Sequence, residues 1–392
     1  MGGGGRASAG GEEAAAATGT REVLGVAAAH PLGVKPASNA LLLGEADRAA
    51  VLDPAAGLGP RTLGRVALAD EDLLLRVLGL LDAASLGRFS CVSRIAYAYA
   101  TADFLWRDLA LATWTRAEAF DFRGGSWRLS VLRTDAKYHP ARGAIVLSDA
   151  LFRPFHYGNL DPNPAWLERE VVETREASDL SVEDFVKDFE LANRPVLIKG
   201  ALRPNWPAFE AWGDAPLADG RRPSLRVLEG SEAPFRVGPV DMRLCDFLTY
   251  SEMQNEEDPL YLFDCKFAQR AERLGSDYDV PIYFRNTAEH PARDLLEAMG
   301  PDRRPDYRWL IAGAARSGSK WHVDPNGTHA WNGVISGSKR WIMYPPNTPP
   351  PGVTPSSDGA DVTQPVSLME WFPGFLPAAR ATHYIKSFAR LC

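Results

Sequence analysis

The sequence lacks long apolar runs, an excess of positive charge and a secretory leader. No stretch approaches the roughly 18 apolar residues of a membrane-spanning helix. The 392 residues carry a formal net charge of −7, which argues against a chain-wide nucleic-acid-binding surface. The N-terminal stretch has no apolar centre of the kind found in secretory signals. We therefore expect an intracellular protein, in the nucleus rather than the cytoplasm, with no membrane partner and no direct nucleic-acid binding.

Cysteine is also scarce, and its spacing excludes two classes of protein. The four cysteines are far apart and none belongs to a Cys-x-x-Cys pair; they are Cys91, Cys245, Cys265 and Cys392. This spacing is untypical of a disulfide framework or a cysteine-based zinc cluster. We expect reduced thiols.

Composition and periodicity divide the chain into five parts. Residues 1–60 are rich in glycine and alanine, and we expect them to be largely disordered. Residues 61–115 predict a bundle of short helices, and residues 116–170 predict a connector that packs on the next domain. Strand patterns dominate residues 171–372, with helices placed before them, and residues 373–392 form a tail. The predicted fold class is α+β, with a helical bundle followed by a β-sandwich or barrel that has helical additions.

The bundle is predicted from apolar spacing and from capping residues. Four residues at helical spacing predict one buried stripe: Leu74, Val77, Leu78 and Leu81. Asp82 and Ser93 are the predicted N-caps of the next two helices, and a fourth helix contains Trp106. Such a bundle either only packs on its neighbour or docks a partner.

The order of leucine, polar and tryptophan residues in the bundle resembles that of an F-box. Between Leu74 and Trp106 the sequence contains Leu-x5-Leu-Leu-Asp, then Cys-Val-Ser-Arg, then Leu-Trp. Ala69 stands where that motif usually has proline, and Ile95 lies near its usual tryptophan. The resemblance implies docking onto the adaptor of a cullin ubiquitin ligase, with the second half of the chain as the recognition platform for a substrate.

Patterns in the second half predict particular strands and helices. Strands are predicted at residues 196–200, 223–230, 233–240, 259–267 and 307–313. Ser181 and Asp184 have the spacing of a capping box at the start of a helix, and residues 243–253 predict another helix. Residues 329–335 and 339–345 flank Ser-Gly-Ser and predict a β-hairpin.

A polar constellation surrounds this hairpin. His322 and Asp324 are one residue apart, and about one such spacing is expected by chance in a chain of this composition. On a strand, both side chains would point to the same side. Asn332 on the first hairpin arm and Lys339 on the second would face the same cavity. The alternative for His322 and Asp324 is a polar pair at the end of a strand, and the alternative for Lys339 is a solvated lysine at the tip of the hairpin.

Such a set of side chains suits one kind of metal chemistry. Two histidines and a carboxylate bind iron(II) and leave positions open for a co-substrate and oxygen. A dicarboxylate co-substrate that binds the metal at one end needs a cation at its other end, and Lys339 is the obvious donor.

The stretch "YRWLIAGAARSGSKWHVDPNGTHAWNGVISGSKRWIMYPP" resembles the core of the JmjC family of iron(II)- and 2-oxoglutarate-dependent oxygenases. "NRPVLIKG" and "PLYLFDCKF" match, in the same order, the branch that contains the arginine demethylase and lysyl hydroxylase. The resemblance covers Asn193 to Phe372. It implies a double-stranded β-helix, or cupin barrel, and a reaction that uses iron(II), 2-oxoglutarate and molecular oxygen. The implied substrate is a lysyl or methyl-arginine side chain of a histone tail or another basic protein.

The resemblance also implies roles for six residues. His322 and Asp324 would be metal ligands and so catalytic. Lys339 would bind the distal carboxylate of 2-oxoglutarate, and Ser319 stands where the family has a threonine that serves the same carboxylate. Asn332 and Tyr261 would complete the co-substrate pocket.

The family's second metal-binding histidine is missing from the sequence. It normally lies in a Gly-Trp-Trp-His motif on a late strand, whereas the resemblance here ends after Phe372 and leaves residues 373–392 unmatched. His329 fits a pocket wall or the surface better than a ligand role, and His383 is a weak candidate for the third ligand. We therefore expect an incomplete barrel, from a truncated gene model, splice form or frameshift, with weak iron binding or no activity. A ligase adaptor and a non-functional fragment are the alternatives to an enzyme.

Overall fold

The described residues combine helices and strands, and the fold is α+β, as predicted. A computed structural model describes residues 30–37, 70–114, 120–135, 146–166, 172–202, 206–212, 232–357, 359, 361–381 and 387–391. Within these ranges, no helix has both the length and the apolar composition needed to cross a membrane. The cysteines within these ranges, Cys91, Cys245 and Cys265, are not in disulfide bonds there.

The α-helices, numbered along the chain, are α1 (Glu71–Leu78), α2 (Ala83–Ser90), α3 (Arg94–Ala100), α4 (Asp103–Thr113), α5 (Trp127–Leu132), α6 (Asp149–Gly158), α7 (Val182–Phe185), α8 (Pro207–Ala211), α9 (Leu244–Met253), α10 (Phe267–Arg270), α11 (Glu272–Ser276) and α12 (Leu368–Ala381). The strands are β1 (Val34–Lys35), β2 (Val146–Leu147), β3 (Glu173–Glu176), β4 (Val196–Lys199), β5 (Pro234–Val237), β6 (Val240–Arg243), β7 (Tyr261–Asp264), β8 (Leu310–Gly313), β9 (Lys339–Met343), β10 (Thr354–Pro355), β11 (Val362–Thr363) and β12 (Ser387–Leu391).

Helices α1 to α4 form the predicted bundle, and the predicted caps are present. Asp82 Oδ1 accepts a hydrogen bond from Ser85 N at 2.7 Å, and Ser93 Oγ accepts one from Ala96 N at 3.1 Å. These bonds satisfy amide groups that the first turn of a helix leaves without a partner. The predicted stripe is wrong at Val77, which is 49% exposed while its neighbour Leu78 is buried. Only Leu74 and Leu78 of α1 are buried, so the buried stripe of this helix is narrower than the spacing predicted.

The bundle shares one hydrophobic core with the strands that follow. Trp127 of α5 is fully buried and its ring lies 5.6 Å from that of Tyr250 in α9. Arg107 of α4 forms an ion pair with Glu256, with Nη1 3.0 Å from Oε1. The helical and strand-rich halves are therefore joined by apolar and charged contacts.

A four-stranded antiparallel sheet in the order β6-β5-β7-β8 forms the largest sheet of the described residues. Strands β5, β7 and β8 lie in predicted segments, whereas β6 was not predicted, because residues 233–240 were expected to form one strand. Tyr261 of β7 pairs with Gly313 of β8. The other strands form four separate pairs, β1-β2, β3-β4, β10-β11 and β9-β12, and no closed barrel is formed by the part of the chain described here. The strand predicted at residues 223–230 lies outside the described residues.

Helix α7 confirms the predicted capping box, because Ser181 Oγ accepts a hydrogen bond from Asp184 N at 3.0 Å. The helix continues as a π-helical turn over Val186–Glu190.

The C-terminal part departs from the predicted boundary at residue 372. Helix α12 runs across that position, and its Trp371 is fully buried in a cluster with Trp321 and Tyr344. Strand β12 pairs antiparallel with β9, so that Ser387 lies opposite Met343. Strand β9, which carries Lys339, is therefore paired with a strand from the tail at residues 373–392, to which the sequence analysis assigned no role.

Two further expectations are corrected by the structure. Residues 30–37 belong to the segment predicted as disordered, yet β1 pairs with β2 and Val34 is buried. Its partner strand is more than a hundred residues away, and local composition carries no signal for such a contact. The predicted hairpin has only its second arm, β9, because residues 329–335 form no strand.

Candidate active site

His322 and Asp324 lie together, but in a loop. Residues 320–324 adopt no regular structure, and a short 3₁₀ helix begins at Pro325. The predicted strand is therefore wrong, and the side chains do not point into a barrel: His322 is 53% and Asp324 43% exposed. Nevertheless His322 Nε2 lies 3.1 Å from Asp324 Oδ1.

A second contact of the imidazole determines which nitrogen carries a proton. His322 Nδ1 lies 2.6 Å from the carbonyl oxygen of Lys320. A carbonyl oxygen can only accept, so Nδ1 must be the donor. In the neutral ring, Nε2 then presents a lone pair to the Asp324 carboxylate, and two acceptors face each other. A proton or a metal cation between Nε2 and Oδ1 would remove this conflict.

The spacing of this pair suits a shared metal ion. Two ligands at about 2.1 Å from a metal and at right angles to one another lie about 3.0 Å apart. The observed separation of 3.1 Å between Nε2 and Oδ1 is close to this value. The pair can thus occupy two positions of one metal, with the tautomer that metal-bound histidines commonly have.

A third protein ligand is not found in the ranges that the structure covers, since no group of three His, Cys, Asp or Glu side chains there could hold a metal. His329 is exposed. His383 lies outside the described residues. The ligand roles of His322 and Asp324 remain predictions that their contact supports.

Lys339 begins β9 and is half-buried. Its Nζ lies 5.5 Å from the ring centre of Trp341, two residues along the same side of the strand. Burial lowers the pKa of the ammonium group. No acidic side chain among the residues described forms an ion pair with it. A partly desolvated cation of this kind favours an anionic ligand.

Asn332 has an unsatisfied polar group. Its Oδ1 is buried and has no hydrogen-bond partner among the described atoms. An amide oxygen accepts, so this atom suits a hydrogen-bond donor, and it is the Nδ2 group of Asn332 that can donate to a carboxylate. The half-buried lysine without an acid is the group that favours a carboxylate of 2-oxoglutarate.

Tyr261 is partly buried, whereas Ser319 is exposed. Tyr261 begins β7, and burial raises the pKa of its hydroxyl to about 12, which keeps it protonated and able to donate. Ser319 is exposed and lines a small cavity with Glu257 and Ser367. The other five predicted site residues are absent from the lining of that cavity. The structure thus brings His322 and Asp324 together but does not place Ser319 in a pocket with Lys339.

The sequence analysis missed a charged cluster around buried Glu257, beside this cavity. Arg153 Nη1 lies 2.7 Å from Oε1 of Glu257 and 3.3 Å from Oε2 of Glu370. Ser367 Oγ donates a hydrogen bond to Glu257 Oε1 at 3.1 Å. Burial, opposed by Arg153, raises the pKa of Glu257 to about 7. These residues come from distant parts of the chain, so no local pattern could have indicated the cluster.

Comparisons with known proteins find relatives that cover part of this chain. The chain is 43% identical over 324 residues to the arginine-specific demethylase JMJ22 of Arabidopsis thaliana, a match that covers 80% of this chain and 59% of the relative. It is 32% identical to the bifunctional arginine demethylase and lysyl-hydroxylase psr-1 of Caenorhabditis elegans, over 56% of this chain and 53% of the relative. It is 26% identical to the human 2-oxoglutarate and iron-dependent oxygenase JMJD4, over 44% of this chain and 43% of the relative.

The chain therefore spans less than two thirds of the length of each of these relatives. No protein-family model matches it. The names of these relatives agree with the resemblance found in the sequence, since they include an oxygenase that depends on iron and 2-oxoglutarate and two arginine demethylases. The chain is a homologue of JmjC-type, 2-oxoglutarate- and iron-dependent oxygenases, among them arginine demethylases.

Proposed function

We propose that this protein is an iron(II)- and 2-oxoglutarate-dependent oxygenase that acts on methyl-arginine or lysyl side chains of a basic protein. The contact of His322 Nε2 with Asp324 Oδ1 at 3.1 Å carries the proposal, because the Lys320 carbonyl leaves Nε2 with a lone pair for a cation. His322 and Asp324 would hold the metal. Lys339 would bind the distal carboxylate of 2-oxoglutarate, and the amide of Asn332 and the hydroxyl of Tyr261 would give it hydrogen bonds.

Bound iron and 2-oxoglutarate supply oxidation of a C–H bond by molecular oxygen, with release of succinate and carbon dioxide. Oxidation of an arginine N-methyl group ends in loss of formaldehyde, and oxidation of a lysyl side chain leaves a hydroxyl group. The net charge of −7 suits a basic substrate, since opposite charge speeds encounter.

The test is succinate production by the full chain with iron(II), 2-oxoglutarate and one of two peptides. One peptide carries methylated arginine and the other unmodified lysine. Formaldehyde release with the first indicates demethylation, and gain of one oxygen atom by the second indicates hydroxylation. We expect His322→Ala and Asp324→Ala to abolish turnover. His290→Ala is the matched control, because His290 lies 3.4 Å from Glu183 and is not one of the proposed ligands. Succinate formation that persists in His322→Ala would refute the proposed metal site.

A second function is favoured by the exposed apolar residues of the bundle. Four such residues lie on or beside α1 and α2: Leu73, Val77, Leu80 and Val92. Leu80 is 86% exposed in the turn between the two helices. Leu73, Val77 and Leu80 have helical spacing, and large apolar residues exposed on one side are typical of a protein-binding surface. We propose that it docks the cullin ubiquitin-ligase adaptor that the F-box resemblance implies.

Leu80→Asp with Val92→Asp tests the docking surface. Both positions are exposed, so the bundle should stay folded while the purified adaptor no longer co-purifies. Leu132→Asp is the control, since Leu132 is an exposed leucine outside the bundle. Equal recovery of the adaptor with the double variant and with the wild type would rule this function out.

A further inference from the structure

The residue before His322 is held by the side chain of Gln364. Gln364 Oε1 accepts a hydrogen bond from Trp321 N at 2.8 Å, and Gln364 Nε2 donates one to Trp321 O at 3.1 Å. Both polar backbone groups of Trp321 are thus bound by one amide group that is 43 residues away in sequence. The amide of Gln364 makes the two hydrogen bonds that a neighbouring strand would make, and so it holds the peptide groups before and after Trp321.

These two peptide groups are the ones that orient His322. The N–H of Trp321 belongs to the same planar peptide unit as the carbonyl oxygen of Lys320. That oxygen accepts the hydrogen bond from His322 Nδ1 at 2.6 Å. The carbonyl of Trp321 belongs to the peptide unit that leads into His322. Gln364 therefore fixes both the acceptor for Nδ1 and the backbone from which the imidazole extends.

The ring of Trp321 is held as firmly as its backbone. It lies 5.3 Å from the ring of Trp371, which is fully buried in α12, and 5.8 Å from that of Tyr344. Packing of this kind fixes the position of the loop, while the amide of Gln364 fixes its rotation. The exposed imidazole of His322 has few contacts of its own, so its orientation depends on these neighbours.

Gln364 is itself anchored on both sides. It follows β11 directly, and Thr363 of that strand pairs with Thr354 of β10. Three residues later, Ser367 donates its hydroxyl hydrogen to buried Glu257. The amide group is thus held between a strand pair and a charged cluster, and can act as a fixed support.

We propose that Gln364 is a positioning residue for the metal site: by holding the peptide groups on both sides of Trp321, it keeps the Lys320 carbonyl oxygen at Nδ1 of His322 and directs Nε2 at Asp324. This inference rests on the proposed function for its consequence, which is metal affinity. Residues that orient a metal ligand from outside typically change affinity by about 10–100-fold when they are replaced.

The experiment uses the full chain labelled with ¹⁵N-histidine, and its variants Gln364→Ala and Gln364→Glu. Proton–nitrogen NMR spectra without metal, at about pH 8, where a free imidazole is neutral, report which ring nitrogen carries the proton. The His322 signal is identified by its loss in His322→Gln. Manganese(II) affinity is measured separately on the same proteins.

We expect an Nδ1-protonated His322 in the wild type and a mixed or Nε2-protonated ring in Gln364→Ala. Gln364→Glu keeps the acceptor for Trp321 N but loses the donor to Trp321 O, and should give a smaller change. Manganese(II) should bind about tenfold more weakly to Gln364→Ala. Ser356→Ala is the matched control, since Ser356 Oγ accepts a hydrogen bond from Asp361 N in the loop between β10 and β11.

A Gln364→Ala spectrum with His322 unchanged would overturn the inference, as would a wild-type His322 without a proton on Nδ1. If the His322 signal changes as expected but the wild type binds no manganese(II), the positioning role of Gln364 stands and the proposed metal site is wrong. The two claims are therefore judged by separate measurements.

Discussion

Lys339 extends its ammonium group over Trp341, with Nζ 5.5 Å from the ring centre. The two residues are neighbours on one side of β9, so the strand itself sets their spacing. The face of an indole ring attracts a cation by about 0.5–2 kcal/mol without neutralising it. The ring thus holds the ammonium group in place while leaving its charge available to an anion.

Replacing Lys339 should therefore weaken binding of 2-oxoglutarate. A hydrogen bond to a charged group contributes about 1.5–3 kcal/mol, which corresponds to a loss of about 10–100-fold in affinity for Lys339→Met. Calorimetric titration of 2-oxoglutarate with manganese(II) present measures this loss. Lys266→Met is the control, because Lys266 already pairs with Asp306 at 2.6 Å. Equal affinity in Lys339→Met and the wild type would remove Lys339 from the co-substrate site.

Stability should fall as pH rises toward neutrality because of Glu257. Its side chain is 4% exposed, and burial raises its pKa to about 7. An unfolded glutamate ionises near pH 4.3, so the folded state binds the proton more tightly, and the stabilisation present at low pH is lost as pH rises through about 7. The full difference in unfolding free energy amounts to about 4 kcal/mol.

Urea unfolding at about pH 5 and pH 8 checks this effect. Between pH 5 and pH 8, the unfolding free energy of the wild type should fall by about 2–3 kcal/mol more than that of Glu257→Gln, because glutamine cannot ionise. Glu272→Gln, at an exposed position of α11, should behave like the wild type. A Glu257→Gln curve with the same pH dependence as the wild type would show that Glu257 is not the group responsible.

Asp103 should be important for stability because it joins two helices. It begins α4, and its carboxylate accepts hydrogen bonds from three groups at the start of α5: Ser126 Oγ at 2.6 Å, Trp127 N at 2.9 Å and Arg128 N at 3.0 Å. Asp103→Ala leaves these donors without partners and should cost about 2–4 kcal/mol of unfolding free energy.

Denaturant unfolding of Asp103→Ala measures that cost. Asp121→Ala is the matched control, because Asp121 forms an exposed ion pair with Arg123 at 2.6 Å. Loss of such a pair should change stability by less than about 1 kcal/mol. If both variants are equally stable, the bonds of Asp103 to α5 do not stabilise the fold.

Leu78 and Leu80 should differ in their effects although they are two residues apart. Leu78 is buried, and Leu78→Ala should destabilise the protein by about 2–5 kcal/mol through lost burial and the remaining cavity. Leu80 is exposed, so Leu80→Ala should change stability by no more than about 0.5 kcal/mol. Thermal unfolding of both variants tests this contrast, and a large loss from Leu80→Ala would mean that the turn between α1 and α2 is covered in solution.

Local patterns predicted several of the helices and three of the four strands of the main sheet. Asp82, Ser93 and Ser181 cap helices as predicted, because a cap depends only on residues three or four positions away. Strands β7 and β8 occur where alternating and apolar runs predicted them. Patterns failed where pairing with a distant segment decides the structure, as for β1, which pairs with β2, and for residues 329–335, which find no partner strand.

By itself, the sequence determined the helix caps, the main strands, and the identity of the histidine, aspartate and lysine that suit iron and a dicarboxylate. The tertiary structure alone decided that His322 and Asp324 meet in an exposed loop, that Gln364 holds the peptide groups beside them, and that Glu257 is buried with Arg153. These contacts join residues 43 and 104 positions apart in the chain. Their formation depends on how whole elements pack, and a short stretch of sequence contains no information about its distant neighbours.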